Sequence, residues 1–413
     1  MKRLLFLLLV SVRVSAQQVL TEPPPTVPAS QLLPAAILTG TDYGIGPQVQ
    51  TDGLAGIFEL YTPLGDYQCA GREMLYLRLQ ELRALEQVDR VSKTAAFEKA
   101  ITQGAIGEPV EAVVKIARNP VGSFEEAPLG AARLVGKIVG GFGSFGVAVG
   151  KLAGIDKSDQ PRGAPKPPPS RDDPIGYNVA RNQWAQQFHV DPYTTNRPLA
   201  LRLNHLGMIS FSMDKVAGAV SGYAMGGFGP VAEYLSYLPD VDEHLLTKPP
   251  TDIEKYNAQR LAGLGASKRD IAQLTNNGWF SPTLQTRFVN DIVKLKSATN
   301  TPTAITLAGN VESEEQARFV CESLELLARS DATLPQPWQM QTFAGMAAMT
   351  GSDGTLIVAA PADLISWTAV TASLAALPHP GVGHAMLYTN GLLTDRAKAG
   401  FASLGWGIGI PAL

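Results

Sequence analysis

The chain has 413 residues, with 34 Lys+Arg against 37 Asp+Glu, 40 Gly, 30 Pro and only 2 Cys. That length allows roughly two or three domains, and a hydrophobic share of 45% excludes wholesale disorder. A net charge of −3 gives no general attraction to nucleic acid, and two cysteines make neither a disulfide framework nor a four-cysteine zinc site.

The N-terminus reads as an export signal. Lys2 and Arg3 precede an apolar run, Leu4 to Val12, broken only by Ser11. The run is shorter than the ~20 apolar residues that span a bilayer. Val14-Ser15-Ala16 offers small residues to a signal peptidase, so cleavage after Ala16 and delivery to the periplasm or medium are expected. Arg13 sits unusually late for such a signal. Cleavage removes three bases and no acid, which takes the net charge from −3 to −6 and argues against a nucleic-acid partner. In an oxidising compartment Cys69 and Cys321 have two readings, a disulfide and two separate buried thiols.

After the signal (1–16), composition divides the chain into five stretches. These are a Pro-rich leader (17–34), an N-terminal mostly helical region (35–157), a Pro-rich linker (158–174), a helical region (175–310) and a C-terminal α+β unit (311–413). The expected fold class is α+β, mostly helical, with glycine-rich helices in the N-terminal and central regions. The leader (EPPPTVPASQLLP) is expected to be extended and poorly ordered. Leu54 to Thr62 reads as a strand before a turn at Pro63-Leu64-Gly65-Asp66. Leu75, Leu79, Leu82, Leu85 and Val88 mark an amphipathic helix, with Glu81, Arg83, Glu86 and Arg90 off its apolar stripe.

Residues 133–154 carry Gly136 and Gly140, then Gly146, Gly150 and Gly154, each four apart; Gly218, Gly222 and Gly226 repeat the spacing. Glycines four apart share one helical face and let another helix approach closely. Tightly packed soluble helices satisfy this pattern, and so does a peripheral membrane or envelope contact through 133–154 and 216–229. A phosphate-cradling loop lacks its Lys-Ser/Thr. The linker's prolines forbid regular structure. Tyr177 to Phe188 is a short helix, followed by a polar loop (FHVDPYTTNRP). Thr251-x-x-Glu254 has the form of a capping box, and Ala266 to Asp270 opens another helix. In the last hundred or so residues, Ser313 to Ala328, Ala362 to Ala376 and Thr394 to Leu404 read as helices. Gly351-Ser352-Asp353-Gly354 reads as a hairpin turn between Gln339–Thr350 and Thr355–Ala360, and His384 to Thr389 as a strand.

The segments GDYQCAGREMLYLRLQELRALEQVDRVSKTAAF, FHVDPY and LYTNGLLTDRAKAGFASLGW, in this order, resemble an uncharacterised family of exported bacterial proteins. The resemblance covers most of the mature chain. It implies export and carries no activity, cofactor or site residue.

Chemical signatures are sparse. Ser212 and Lys215 form a bare S-x-x-K, one helical turn apart, without the S-D-N and K-T-G that accompany it in penicillin-binding proteins. His189 and Asp191 are a candidate base and orienting acid. Asp240, Asp242 and His244 are a weak hard-cation set lacking the EF-hand spacing, so no metal and no cofactor are expected. His379 and His384, in HPGVGH, read as exposed loop residues. The functional expectation is a non-enzymatic exported envelope binding or interaction protein; the alternative is a periplasmic hydrolase whose site is assembled from distant residues.

Overall fold

The computed structural model describes residues 19–63, 65–92, 175–212, 248–295, 298–331, 337–379 and 381–409. The signal, the linker and both glycine-spaced stretches lie outside these residues, as do Lys215, Asp240, Asp242 and His244.

Among the described residues the N-terminal part joins a sheet to one long helix; residues 93–157 of the region expected to be mostly helical lie outside them. Strands β1 (Thr26–Pro28), β2 (Gly44–Ile45), β3 (Gln48–Thr51), β4 (Gly56–Thr62) and β5 (Gly65–Ala70) pair antiparallel around β4. Two four-residue helices, α1 (Ala29–Leu32) and α2 (Ala35–Leu38), lie between β1 and β2. The Pro-rich leader is therefore partly structured. Val27 pairs with Val49, and Ala29, Leu32 and Leu33 enter the core. Strand β4 alternates as an antiparallel strand with one wet face should, Phe58 and Leu60 buried and Glu59 and Tyr61 exposed. Helix α3 (Arg72–Ser92) lays Met74, Leu75, Leu79 and Leu82 on that sheet, and its last turns face elsewhere. Each fully buried leucine contributes about 1.5–3 kcal/mol of transfer free energy.

Helices α4 (Ile175–Gln187) and α5 (Arg197–Ser212) form a second cluster with the end of α3, through Leu85, Val88, Trp184, Phe188, Leu199 and Leu203. Next come α6 (Pro250–Gly263), α7 (Lys268–Thr275) and α8 (Pro282–Lys294). The Thr251 capping box is not used: α6 starts at Pro250, its N-cap is Pro249, and no side chain caps it. Proline at the first helical position lacks an N–H that would otherwise go unpaired, and a proline at the N-cap has no side-chain acceptor to offer. Ser267 and Ser281 do cap α7 and α8, accepting from the amides of Asp270 and Leu284.

The C-terminal part is a six-stranded mixed sheet that starts earlier than residue 311. Its strands are β6 (Ala298–Thr299), β7 (Trp338–Phe343), β8 (Met346–Gly351), β9 (Thr355–Ala359), β11 (His384–Tyr388) and β13 (Trp406–Gly409), ordered β13-β11-β9-β8-β7-β6. A short parallel pair, β10 (Leu364–Ile365) with β12 (Leu392–Leu393), lies beside it. The hairpin turn at Ser352–Gly354 is present. The stretch expected as its single flank is instead two strands, reversed at Ala344-Gly345, where both residues have positive φ (52° and 81°).

Helices cover both faces. On one, α9 (Pro302–Gly309) and α10 (Glu314–Asp331) pack with α8 against Trp338, Met340, Ala347, Met349, Ile357 and Ala359. On the other, α11 (Ala369–Ala375) and α12 (Asp395–Ser403) pack against Met346, Ala348, Leu356, Val358, Ala385 and Leu387. The two lists interleave residue by residue, the period of two that a doubly covered sheet requires. Two sheets of five and six strands, one sandwiched between helices, overturn the mostly helical fold class. The helix expected over 362–376 is shorter because Asp363 to Ser366 pairs with the N-terminal loop. Gly53 O accepts from the Ser366 amide, and Leu54 O from those of Asp363 and Leu364.

Candidate functional site

The loop between α4 and α5, which carries His189 and Asp191, sits on a buried cluster of charge. Helix α3 supplies Glu73, Arg78 and Glu81, α8 supplies Arg287, and α10 supplies Glu314 and Arg318. Arg318 donates to Glu314 (2.8 and 3.0 Å) and to Glu73 (3.1 Å). Arg287 also donates to Glu73 (2.8 Å) and reaches Glu325 at the rim (3.1 Å). Arg78 bonds Glu81 at 2.5 Å and lies 4.0 Å from Glu314. The loop closes the cluster. Thr194 and Asn196 donate to Glu81, Thr195 donates to Glu314, and the Gln80 amide donates to the His189 carbonyl.

Burial alone would push the carboxyls of Glu73 and Glu314 up. The guanidiniums of Arg287 and Arg318 beside Glu73, and of Arg318 and Arg78 beside Glu314, outweigh it and hold both below the usual range. Glu73 and Glu314 stay ionised, each facing two guanidiniums. The cluster is therefore a brace: removing one partner from such a set costs far more than the set contributes in net stability.

Asp191 belongs to the edge of this brace. Its carboxylate accepts from Thr283 Oγ1 (2.5 Å) and the Tyr193 amide (2.8 Å). Burial raises its pKa against those bonds. His189 is exposed, with φ 52°, whereas Asp191 is buried. Asp191 thus serves to fold its own loop and tie it to α8. Ser212 is the last residue of α5, and Lys215 lies outside the described residues. His379 is half-buried, its Nδ1 2.9 Å from the Leu377 carbonyl and its ring edge-on to Phe343 and Trp406; His384 is exposed on β11. Among the described residues no group of three or more His, Cys, Asp or Glu is placed to hold a metal ion. Cys69 lies on strand β5 rather than a helix, and Cys321 on α10; both are free and buried. Burial pushes the Cys69 thiol up to about 12 and Cys321 in the same direction, which makes both inert.

A second buried acid has a different setting. Asp52 Oδ1 accepts from the amides of Leu54 and Ala55, both at 2.8 Å, while Oδ2 is buried without a partner, as is Ser366 Oγ. Burial raises Asp52 to about 7, and nearby Asp363 adds to the rise. Asp363 itself takes Arg72 Nε (2.7 Å) and the Gly56 amide (2.8 Å). Arg72 also donates to the carbonyls of Ala362 (3.0 Å) and Asn390 (3.4 Å), at the carboxyl ends of β9 and β11. That edge of a parallel sheet is the usual ligand crevice; here the N-terminal unit fills it.

The brace also fixes which ends of the helices lie together. Glu81 meets Asn196 and Asp89 meets Arg202, so α3 and α5 run parallel. Gly207 meets the backbone of Arg181 while Phe188 and Leu199 share a core, so α4 runs antiparallel to α5. The end of α3, the start of α4 and the end of α5 therefore lie at one pole. Ser92 falls short of Ser212 by roughly 10 Å along the axis at 1.5 Å per residue.

Glu81 was placed by periodicity off the apolar stripe of α3, yet it is 1% exposed. A signal for the rest was present: Arg287 stands among Leu284, Phe288 and Val289, and Arg318 beside Ala317 and Cys321, charges set within apolar faces. No known protein family, curated protein or solved structure matches this chain.

Proposed function

We propose that this is an exported, non-enzymatic envelope binding protein that meets a membrane surface through its two glycine-spaced apolar stretches. The observation that carries this reading is the shared pole. Residues 93–174 leave from the end of α3 and rejoin at α4, and residues 213–247 leave from the end of α5. Ser92, Ile175 and Ser212, the described residues from which these segments depart or to which they return, thus lie at one end of the same three-helix unit, and the charge brace ties that unit to the rest of the fold. Among the described residues no helix is long and apolar enough to cross a membrane, so the reading assigns contact rather than spanning.

Export after cleavage at Ala16 belongs to the same reading, as does the likeness to exported bacterial proteins. The hydrolase alternative gains no support from Asp191, whose carboxylate is committed to Thr283 and Tyr193. Flotation of the mature chain with vesicles of mixed zwitterionic and anionic phospholipid tests the proposal. The native protein is expected to float, and Gly146, Gly150 and Gly154 all replaced by Leu to alter that binding. Failure of the native chain to associate with vesicles overturns the membrane reading.

A further inference from the structure

On the α11/α12 face of the C-terminal sheet lies a cavity of about 30 Å³, lined by Leu54, Phe343, Met346, Leu374, Phe401 and Trp406, among others. That volume matches roughly two water-sized spheres, but a water needs polar partners to stay. The wall offers few. Its hydroxyl, Thr371 Oγ1, is 3.0 Å from Thr368 Oγ1, and the Trp406 indole N–H donates to the Ala375 carbonyl at 2.9 Å. The polar edges point into the protein and the apolar surfaces into the void.

Close packing does not explain the void, because the surroundings are tight. Phe343 and Trp406 meet edge-on at 5.5 Å, and a Cβ on Gly400 would fall 2.2 Å from the Trp367 ring. Half-buried Leu54, Ala344, Val370 and Leu377 pack against Leu374 of this lining and carry its apolar surface outward. Leu54 belongs to the N-terminal loop docked on β10, so the lining is complete only when the two sheets are assembled.

We propose that this cavity binds the terminal methylenes of a saturated alkyl chain, with the remainder of the chain leaving along the half-buried apolar side chains packed on Leu374. A wall so poor in polar atoms selects hydrocarbon, and the small volume selects a chain end over a ring. A free fatty acid and a membrane lipid both present this chemistry.

The test is titration of the mature protein with 1-decanol, decanoate and decanoyl-lysophosphocholine below their critical micelle concentrations, followed by the methyl NMR signals of Met346 and Leu374. All three are expected to shift these signals with affinities within about tenfold of one another. Preference for decanoate over decanol by more than that margin overturns reading by chain alone, and a lysolipid that fails to shift the signals while decanoate does so excludes a membrane lipid as the source. Ala375→Leu fills the void. It is expected to weaken decanol by about tenfold or more, roughly two methylenes at a few-fold each, with an unchanged or raised thermal midpoint. Should that variant fail to fold, Leu374→Ala, which enlarges the void, is expected to bind decanol at least as tightly as the native chain. No shift at Met346, unchanged affinity in folded Ala375→Leu, or weaker binding by Leu374→Ala overturns the proposal.

Discussion

The molecule buries carboxylates in two ways, and the difference decides how each region responds to mutation and pH. In the brace, Glu73 and Glu314 are ringed by Arg78, Arg287 and Arg318, and the positive charge more than offsets desolvation. At the junction of the two sheets, Asp52 has only two backbone amides on one oxygen and a second acid nearby, and desolvation wins. Desolvation therefore leaves an obligatory anion where guanidiniums surround it and an acid poised near neutrality where they do not.

The sharpest way to break this contrast is Arg318→Met. It leaves Glu73 with Arg287 alone, and Glu314 with Arg78 at 4.0 Å. Stability in urea is expected to fall by about 3–5 kcal/mol; a loss under about 1 kcal/mol would show that the cluster is not a brace. The pH dependence separates the two sites by sign. Asp52, raised from 3.8 to about 7, binds more protons folded than unfolded between those values, so its contribution to stability falls as pH climbs from about 4 to 7. Asp52→Asn is expected to flatten that slope and to raise stability at pH 8 by about 2–3 kcal/mol, as read by denaturant titrations across the range. Glu73 and Glu314, held low, act oppositely: their contribution is intact above the ordinary carboxylate pKa and is lost as pH falls through their folded values.

Arg72→Met should cost less than the brace mutation, about 2 kcal/mol, because Asp363 keeps the amides of Gly56 and Arg72. A cost matching that of Arg318→Met would put the junction and the brace in one class. Ser267→Ala removes only the exposed cap of α7, and about 1 kcal/mol is expected from thermal unfolding.

What the sequence disclosed follows the same physics. The leucine stripe of α3, strand β4 and the turn at Ser352–Gly354 were legible because local periodicity and turn chemistry dictate them. The N-terminal sheet was not. Strands β1, β2 and β3 have two to four residues each, too short for a period to register, and they are held by partners distant in the chain. The start of α11 is not legible in sequence because Asp363 to Ser366 is claimed by Gly53 and Leu54, some three hundred residues away. Of the candidate site residues, Asp191 was found but its partner was not, since Thr283 reaches it from another helix. Glu81 was misplaced because a paired, buried carboxylate looks in sequence like a solvated one.

The claim that the pole of α3, α4 and α5 faces the membrane can be read from single labels. Cys69 and Cys321 are buried and free, so an introduced cysteine takes a thiol-reactive NBD fluorophore selectively. Arg90 is exposed near the pole, and Asp395 is exposed in the C-terminal unit, whose Ala362, Asp363 and Asn390 meet Arg72 at the far end of α3. Arg72, at that far end, is roughly 27 Å from Arg90 along the helix axis. On adding phospholipid vesicles to the folded mature protein, NBD at Arg90→Cys is expected to shift blue and brighten, while NBD at Asp395→Cys stays unchanged. No response at Arg90→Cys, or an equal response at both sites, would contradict a membrane-facing pole.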